Sequence, residues 1–452
     1  MRMPLELEES LKNQAAERID RINPELYIKT QIYIRNLIQT CTCSGEEECE
    51  SQARIEISDI FIAHGEEYMR NHKLTPEQAK AMYAIENCRT ESYGYHVEVC
   101  DKCGHIERGY NSCRNRHCPK CQGIAKDKWV QSRIDEILPV SYHHATFTVP
   151  GEISYLSQYN KKMLYDLLFK ASSQTLLTFG HDPKWLGAEI GFYGILHTWS
   201  QSIWNHIHIH YIITAGGITE QGEWKEPKYK KKFLFPVKAM AKTFRKNMLE
   251  GLQELYNKGS LVIPYDKPEL NDPKKFELWL SSFNRTPWII DSRPPFSGPE
   301  AVIKYIGRYT HRTAISSSRI VSFENGEVCF KYKDNKQKDK SGKAVWKEMT
   351  LTAEEFMERF LMHVLPKRYH RIRNFGFLTN SKKHGNIKKI REIFHAENML
   401  TDTDRTNDEN AGYKCPVCKQ GKMQTFLVVN SAHQIIKFDI EAFILREFTD
   451  TS

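Results

Sequence analysis

The run His206-Ile207-His208-Ile209-His210 alternates imidazole with aliphatic side chains and continues as Tyr211-Ile212-Ile213-Thr214. Residues two apart on a β-strand share a face. The run therefore reads as a strand with His206, His208 and His210 on one side and Ile207, Ile209 and Ile212 packed beneath. Imidazole is a common metal ligand near neutral pH. A histidine pair fixed on a rigid strand is thus a metal site whose geometry is already supplied. The plainer alternatives are a His-rich exposed strand or half of a structural zinc site.

About a hundred residues on lies Pro299-Glu-Ala-Val-Ile-Lys304-Tyr305-Ile-Gly-Arg308-Tyr309-Thr-His311-Arg312. Ser297-Gly298-Pro299-Glu300 marks a helix start, with proline in the first turn and an acid near the positive end. On that helix Tyr305 and Tyr309 are i and i+4, so both hydroxyls leave one face. The plainer alternative is two half-buried tyrosines on an amphipathic helix, but Lys304, Arg308, His311 and Arg312 around them suit a phosphate better than a core.

Together the two features describe a phosphotransfer chemistry. Tyrosine is a poor nucleophile at its free pKa of about 10. A divalent metal on the histidines would neutralise a phosphodiester oxygen and orient the phosphorus for in-line attack. Attack by Tyr305 leaves a covalent phosphotyrosine and releases a sugar hydroxyl. The phosphoester bond is conserved, so a second DNA end can reverse the step, giving cleavage with joining rather than hydrolysis.

The chain resembles the HUH endonucleases, and among them the two-tyrosine rolling-circle insertion-sequence transposases of the IS91 type, over about Ile60 to Leu378. The resemblance rests on Asn111-Ser-Cys-Arg-Asn-Arg-His-Cys-Pro-Lys-Cys121, His144-Ala-Thr-Phe-Thr-Val-Pro150, His197-Thr-Trp-Ser-Gln201 through His210, and Gly298-Pro-Glu through Ser318-Arg319. His363-Val-Leu-Pro366 with Arg371-Ile-Arg-Asn-Phe-Gly-Phe-Leu378 forms a fifth block. It implies an α+β fold: a nuclease domain with a central antiparallel sheet and facing helices, preceded by a helical region and a small zinc-binding module. It also implies that His208 and His210 are the paired metal ligands and that Tyr305 and Tyr309 are the nucleophiles. The third ligand is open between His206 and His197. His206 and His210 lie roughly 13 Å apart along a strand, awkward for one ion, whereas His197 sits on the preceding strand-like run. The resemblance implies Mg²⁺ or Mn²⁺, although imidazoles suit Mn²⁺ or Zn²⁺ better than Mg²⁺.

The 12 cysteines cluster. Cys100-Asp-Lys-Cys103 and Cys118-Pro-Lys-Cys121 are two CxxC knuckles at the spacing of a structural Zn²⁺ site, and these four are expected to share one ion. Cys88, His96, Cys113 and His117 could hold a second zinc, or else Cys88 is a small buried hydrophobe and His117 contacts phosphate beside Arg114 and Arg116. Cys415-Pro-Val-Cys418 is a lone knuckle that needs two more ligands. The first residues are acidic and contain no apolar segment, so a reducing cytoplasm, bacterial or archaeal and near the nucleoid, is expected.

Lys plus Arg number 65 against 56 Asp plus Glu, a net +9, and the mean hydropathy is −0.58. No uninterrupted apolar stretch approaches a membrane span. Basic runs at 225–232, 331–338, 367–373 and 382–391 interleave aromatics, as single-stranded DNA grooves do. The sequence suggests a helical region over 1–87, a zinc module over 88–123, a nuclease domain over 124–380 and a polar tail over 381–452. Within these, helices are expected at 9–40, over a helical stretch 53–88 in which Thr75 caps and Pro76 starts a new helix, and at 126–138, 153–178, 236–258 and 353–362, with strands at 189–197, 206–214 and 344–351. A loop is expected at 41–52 and a linker at 401–410. Asn325-Gly326 signals a hairpin.

Single-stranded DNA and transposon ends are the expected partners. The chain shows no G-x-x-x-x-G-K-[ST] phosphate loop, so strand separation falls to a host helicase, to the replication machinery, or to a substrate that is already single-stranded; a homo-oligomer is a further expected partner. Two rival readings compete. In a DDE-type nuclease, Asp291 would be one of several metal-binding carboxylates. A zinc-finger DNA-binding regulator would need no catalysis.

Overall fold

The structure, a computed structural model, describes residues 54–122, 136–227, 234–293, 307, 312–339, 341–396, 413–432 and 434–438. The expected helix 9–40, the loop 41–52, residues 126–135 of the expected linking helix, the Tyr305–Tyr309 segment with Lys304 and Arg308, and the linker 401–410 lie outside the described residues.

In chain order the elements are α1 (Ile57–Asn71), α2 (Pro76–Glu86), β1 (Tyr95–Cys100), β2 (Ile106–Tyr110), β3 (Tyr142–Thr148), α3 (Gly151–Tyr159), α4 (Lys161–His181), β4 (Glu189–Trp199), β5 (Asn205–Ile218) and β6 (Trp224–Lys225). There follow α5 (Val237–Asn257), α6 (Pro273–Ser282), β7 (Ile289–Arg293), β8 (Ile320–Glu324), β9 (Glu327–Lys338), β10 (Ala344–Thr352), α7 (Ala353–Leu361), β11 (Ile372–Gly376), α8 (Lys383–Ile393), β12 (Met423–Val429) and β13 (Ile435–Phe438). The chain is α+β, its paired strands antiparallel. It divides into two compact units: Tyr83–Asn115 with the described part of Asp404–Ser452, and Ile55–Met82 with the described part of Arg116–Thr403.

The larger unit is organised by a sheet of order β11-β4-β5-β3-β7, with β6 paired to β5. On β5 the alternation works as the pleat requires. Ile207, Ile209 and Tyr211 are fully buried in a core shared with Leu164, Leu168 and Phe169 of α4 and Met240, Phe244, Met248 and Leu252 of α5. Those four α5 residues recur every fourth position, a narrow apolar stripe that lays the helix along the sheet. Ile212 has the parity of the histidines and not of Ile207. It packs on the opposite face with Ile137, Tyr193, Phe377 and Leu378, so its expected place beneath the histidines is corrected. Gly194 lies opposite Tyr211, where a Cβ would come within 2.6 Å of the tyrosine ring. The Tyr211 hydroxyl pairs with Ser172 Oγ at 2.7 Å, a buried polar pair satisfied within the core.

Phe192 is fully buried, with ring centroids 5.1 Å from Phe375 and 5.4 Å from Tyr211. Phe192→Ala is expected to cost about 3–5 kcal/mol of folding stability, read as a lower denaturant midpoint of the full chain at unchanged slope.

Local signals explain the element ends. Thr75 and Gln78 form a reciprocal capping box, Thr75 N–H donating to Gln78 Oε1 at 2.9 Å and Gln78 N–H to Thr75 Oγ1 at 3.3 Å, so that α2 starts at Pro76, where the sequence places a new helix. The expected helix 153–178 is two helices. Asn160 leaves helical geometry at φ −131, and its buried amide bonds Leu156 O and both backbone groups of Val262. Asp272-Pro273 starts α6, Asp272 Oδ1 accepting from Lys274 N–H and Lys275 N–H, an Asp-Pro cap of the ordinary kind. Asn325 and Gly326, both at positive φ, make the tight β8–β9 turn, and β8, β9 and β10 form a separate three-stranded sheet.

The smaller unit holds a sheet of order β13-β12-β1-β2. The polar tail expected over 381–452 thus contributes two strands. Val97, Val99 and Phe426 form the small core beneath them, which the weak alternation of residues 423–429 did not announce.

Candidate active site

On the larger sheet β4 and β5 run antiparallel, with His197 directly opposite His208 and Ile195 opposite His210. Directly opposed side chains share a face, so His197 joins the histidine side of β5. One ring nitrogen each from His197, His208 and His210 lie within 4.8 Å of one another. His208 Nδ1 is 2.9 Å from the His206 carbonyl. A carbonyl only accepts, so Nδ1 carries the proton and Nε2 of the neutral ring presents a lone pair. That lone pair points to His210 Nε2 at 3.1 Å. His210 Nδ1 lies 3.0 Å from His144 Nε2 and 3.1 Å from Thr146 Oγ1, Thr146 being its direct cross-strand neighbour on β3.

Burial holds these rings neutral. It lowers His208 to about 3 and His144 to about 4, and places His210 well below the usual histidine value. Imidazoles converging on one face, with His208 and His210 each oriented through its Nδ1 and His197 backed by Trp199, are the donor set of a divalent cation site. The residues present fit such an ion.

The structure leaves His206 outside this group. Its half-buried ring lies beside that of His208, centroids 5.1 Å apart, but its role here is the carbonyl that orients His208. His197 is buried, its ring stacked on Trp199 at 4.8 Å. His144, Thr146 and Trp199 were not singled out as site residues. The i, i+2 spacing of His144 and Thr146 on a strand was the signal that could have found them.

A second anchor fixes the ends of β4 and β5. His363, fully buried, donates from Nε2 to the Ile203 carbonyl at 2.9 Å, leaving Nδ1 to accept the Thr198 hydroxyl at 3.1 Å. Burial lowers it to about 3. Arg371 works beside it: its carbonyl accepts Leu196 N–H at 2.9 Å, and its guanidinium donates to the Arg312 carbonyl at 3.0 Å. Thr198, Trp199, Arg312, His363 and Arg371 line one cleft. Arg312 is therefore tied, through Arg371, to the strand that carries His197.

The depressed histidines set a pH dependence. Unfolded, these rings titrate near 6.5; folded, His208, His144 and His363 remain neutral down to about 3–4. Between about 6.5 and these folded values the unfolded chain binds more protons, so stability is fully present above about 6.5, declines as pH falls below it, and is lost by about pH 3. Denaturant midpoints of the full chain are expected to fall between pH 7 and pH 5 and to fall further at pH 4; a flat profile contradicts this.

Several expected DNA contacts are structural. Arg116 donates to the Pro366 carbonyl at 2.7 Å and to the carbonyls of Leu365 and Tyr369, fastening a turn rather than meeting a phosphate. His117 Nε2 accepts Leu365 N–H at 3.3 Å and is lowered to about 3 by burial and Arg116. Within the basic runs, Lys383 pairs with Glu136 at 2.6 Å and Arg373 with Asp166, while Arg391 donates to the Ile137 carbonyl. Arg114 and Arg312 are exposed. Lys331 and Lys333 are also exposed, with Lys333 over the exposed Trp346 ring at 5.0 Å. Asp291 pairs with Arg293 on β7, and among the described residues no group of carboxylates gathers as a DDE site requires.

The cysteines sort differently from their sequence spacing. Cys100 and Cys103 gather with Cys415 and Cys418, not with Cys118 and Cys121. β12 pairs with β1 and brings the distant knuckle to the end of that strand, a contact that local spacing cannot announce. Cys88 and Cys113, in the smaller unit, lie within 4.8 Å of each other, as do Cys118 and Cys121 in the larger. Each pair supplies two of the four ligands that tetrahedral zinc takes. His96 and His117 join no ligand group among the described residues, so their expected zinc role is corrected. His96 Nδ1 meets Asn111 Oδ1 at 3.0 Å instead.

No helix among the described residues is long and apolar enough to cross a membrane. A family model described as "Putative transposase" matches residues 191–385, and one described as "Transposase zinc-binding domain", of the IS91 type, matches residues 60–149. The chain is 40% identical over 382 residues to "Putative transposase y4qJ" of Sinorhizobium fredii, across 82% of this chain and 94% of the relative. It is 27% identical over 296 residues to "Transposase for insertion sequence element IS801" of Pseudomonas savastanoi pv. phaseolicola, across 65% of this chain and 68% of the relative. No solved structure matches it. With relatives of that extent and both segments matched, the chain belongs to the transposase family that carries an IS91-type zinc-binding domain.

Proposed function

We propose that this transposase cuts and rejoins single-stranded DNA at transposon ends through a 5′-phosphotyrosine, in rolling-circle transposition, with an HUH-type nuclease domain over 124–380. The convergence of His197, His208 and His210 from two paired strands carries the reading. The anchoring of Arg312 to that same strand through Arg371 supports bringing the tyrosine segment to the histidine face.

Mg²⁺ or Mn²⁺ on the three histidines would supply positive charge to a non-bridging phosphate oxygen. The other parts are the protein's own. His144 and Thr146 orient His210, the His206 carbonyl orients His208, and Trp199 backs His197. The Tyr305 hydroxyl attacks phosphorus; its oxygen–phosphorus bond forms as the bond to the 3′ oxygen breaks, and the phenolic proton balances the released 3′-hydroxyl. Tyr309 serves the second strand. Lys304, Arg308, Arg312 and Arg114 are placed at phosphates, with Lys331, Lys333 and Trp346 offering further contacts where bases stack and phosphates are neutralised. Structural zinc, a reducing cytoplasm and strand opening by a host helicase or by replication complete the reading.

The test is a labelled single-stranded end oligonucleotide incubated with Mn²⁺. An adduct surviving SDS is the expected result. Diffusible hydrolysis products would favour carboxylate chemistry, and a gel shift without cleavage would favour a regulator.

A further inference from the structure

Cys415 and Cys418 lie outside both segments that the family models match. We propose that they complete, with Cys100 and Cys103, a four-thiolate zinc site that clasps two distant parts of the chain into one module.

The sulfurs are placed for it. Cys100 Sγ is 3.7 Å from Cys418 Sγ, and Cys103 Sγ is 3.6 Å from Cys415 Sγ. A tetrahedron of ~2.3 Å zinc–sulfur bonds has edges of ~3.8 Å. A disulfide needs ~2.05 Å, which neither pair approaches. The backbone around the sulfurs is also built for anions. Lys102 N–H and Cys103 N–H point at Cys100 Sγ at 3.4 Å, and Gly421 N–H points at Cys418 Sγ at 3.3 Å. Amide donors stabilise thiolate over thiol.

The two knuckles repeat one design. Gly104 N–H bonds the Cys100 carbonyl and Lys419 N–H the Cys415 carbonyl, each at 3.1 Å. Gly104 and Lys419 turn the chain at positive φ, 66 and 58. A Cβ at Gly421 would collide with Cys100 Sγ, so the second knuckle can close over the first only with glycine there. Asp101 ties them, its Oδ1 accepting Lys422 N–H at 2.8 Å.

The clasp matters because the module is discontinuous. Cys103 and Cys415 are 312 residues apart, and β12 must find β1 across that separation. The core beneath the sheet is small, with Val97, Val99 and Phe426 its buried members. So small a core rarely holds a sheet unaided, and zinc binding then contributes folding free energy directly.

The test uses the full chain purified without chelator. Cys415→Ser is expected to hold one zinc fewer than wild type and than Cys329→Ser, a control on β9. Cys415→His, which keeps a ligand, should retain that zinc. Equal zinc in wild type and Cys415→Ser overturns the proposal, as does equal loss from the serine and histidine variants. Should the variants fail to accumulate, wild type decides alone: alkylation of Cys100, Cys103, Cys415 and Cys418, followed by mass spectrometry, should be slow until a strong chelator is added and then rise together. Rapid labelling of Cys415 and Cys418 without chelator contradicts the clasp.

Discussion

His208→Ala and His210→Ala are each expected to lower single-strand cleavage at least about a hundredfold, the scale of losing a main electrostatic stabiliser, while most DNA affinity survives. The rings meet at 3.1 Å between Nε2 atoms, so neither can be removed without opening the site. His206→Ala is the contrasting case. It removes a ring outside the ligand group and keeps the carbonyl that orients His208, so activity should stay within a few-fold of wild type. His197→Ala should raise the Mn²⁺ concentration needed for half-maximal cleavage, and His206→Ala should not. Near-normal cleavage by both His208→Ala and His210→Ala would remove the metal assignment; a metal shift confined to His206→Ala would reassign the third ligand.

Tyr305→Phe is expected to abolish the covalent adduct on a single-end oligonucleotide, because no other group is assigned to hold the first cleaved strand. Tyr309→Phe should leave that adduct and block completed strand transfer. The i, i+4 spacing lets both hydroxyls serve one site through a small helix movement, and Tyr305 is taken first because it follows Lys304. Adduct lost only in Tyr309→Phe reverses the order. Normal transfer by Tyr309→Phe means that one tyrosine suffices.

What the sequence made legible was local. The two-residue period of His206–His210 required a strand with a histidine face, and the buried Ile207 and Ile209 show why that period is kept. Asn325-Gly326 carried its own turn chemistry, and the four-residue stripe on α5 its own packing face. Pairings set by strand register were not legible. His144 and Thr146 reach His210 only because β3 pairs with β5 in that register, and Cys415 reaches Cys103 only because β12 adds to β1. The partners of basic residues were not legible for a related reason. Charge in sequence does not reveal whether a guanidinium meets a phosphate or, as Arg116 and Arg391 do, a backbone carbonyl. The break at Asn160 likewise depends on Val262, a partner about a hundred residues away.

The most direct measurement of the central claim is peptide mapping of the protein–DNA adduct. Wild-type protein is incubated with Mn²⁺ and a single-stranded transposon-end oligonucleotide, digested with protease and nuclease, and read by mass spectrometry. The account predicts a 5′-phosphorylated nucleotide on the peptide containing Tyr305, with an equivalent free 3′-hydroxyl product and no adduct in His208→Ala. Cleavage that leaves no nucleotide on either Tyr305 or Tyr309 would contradict it.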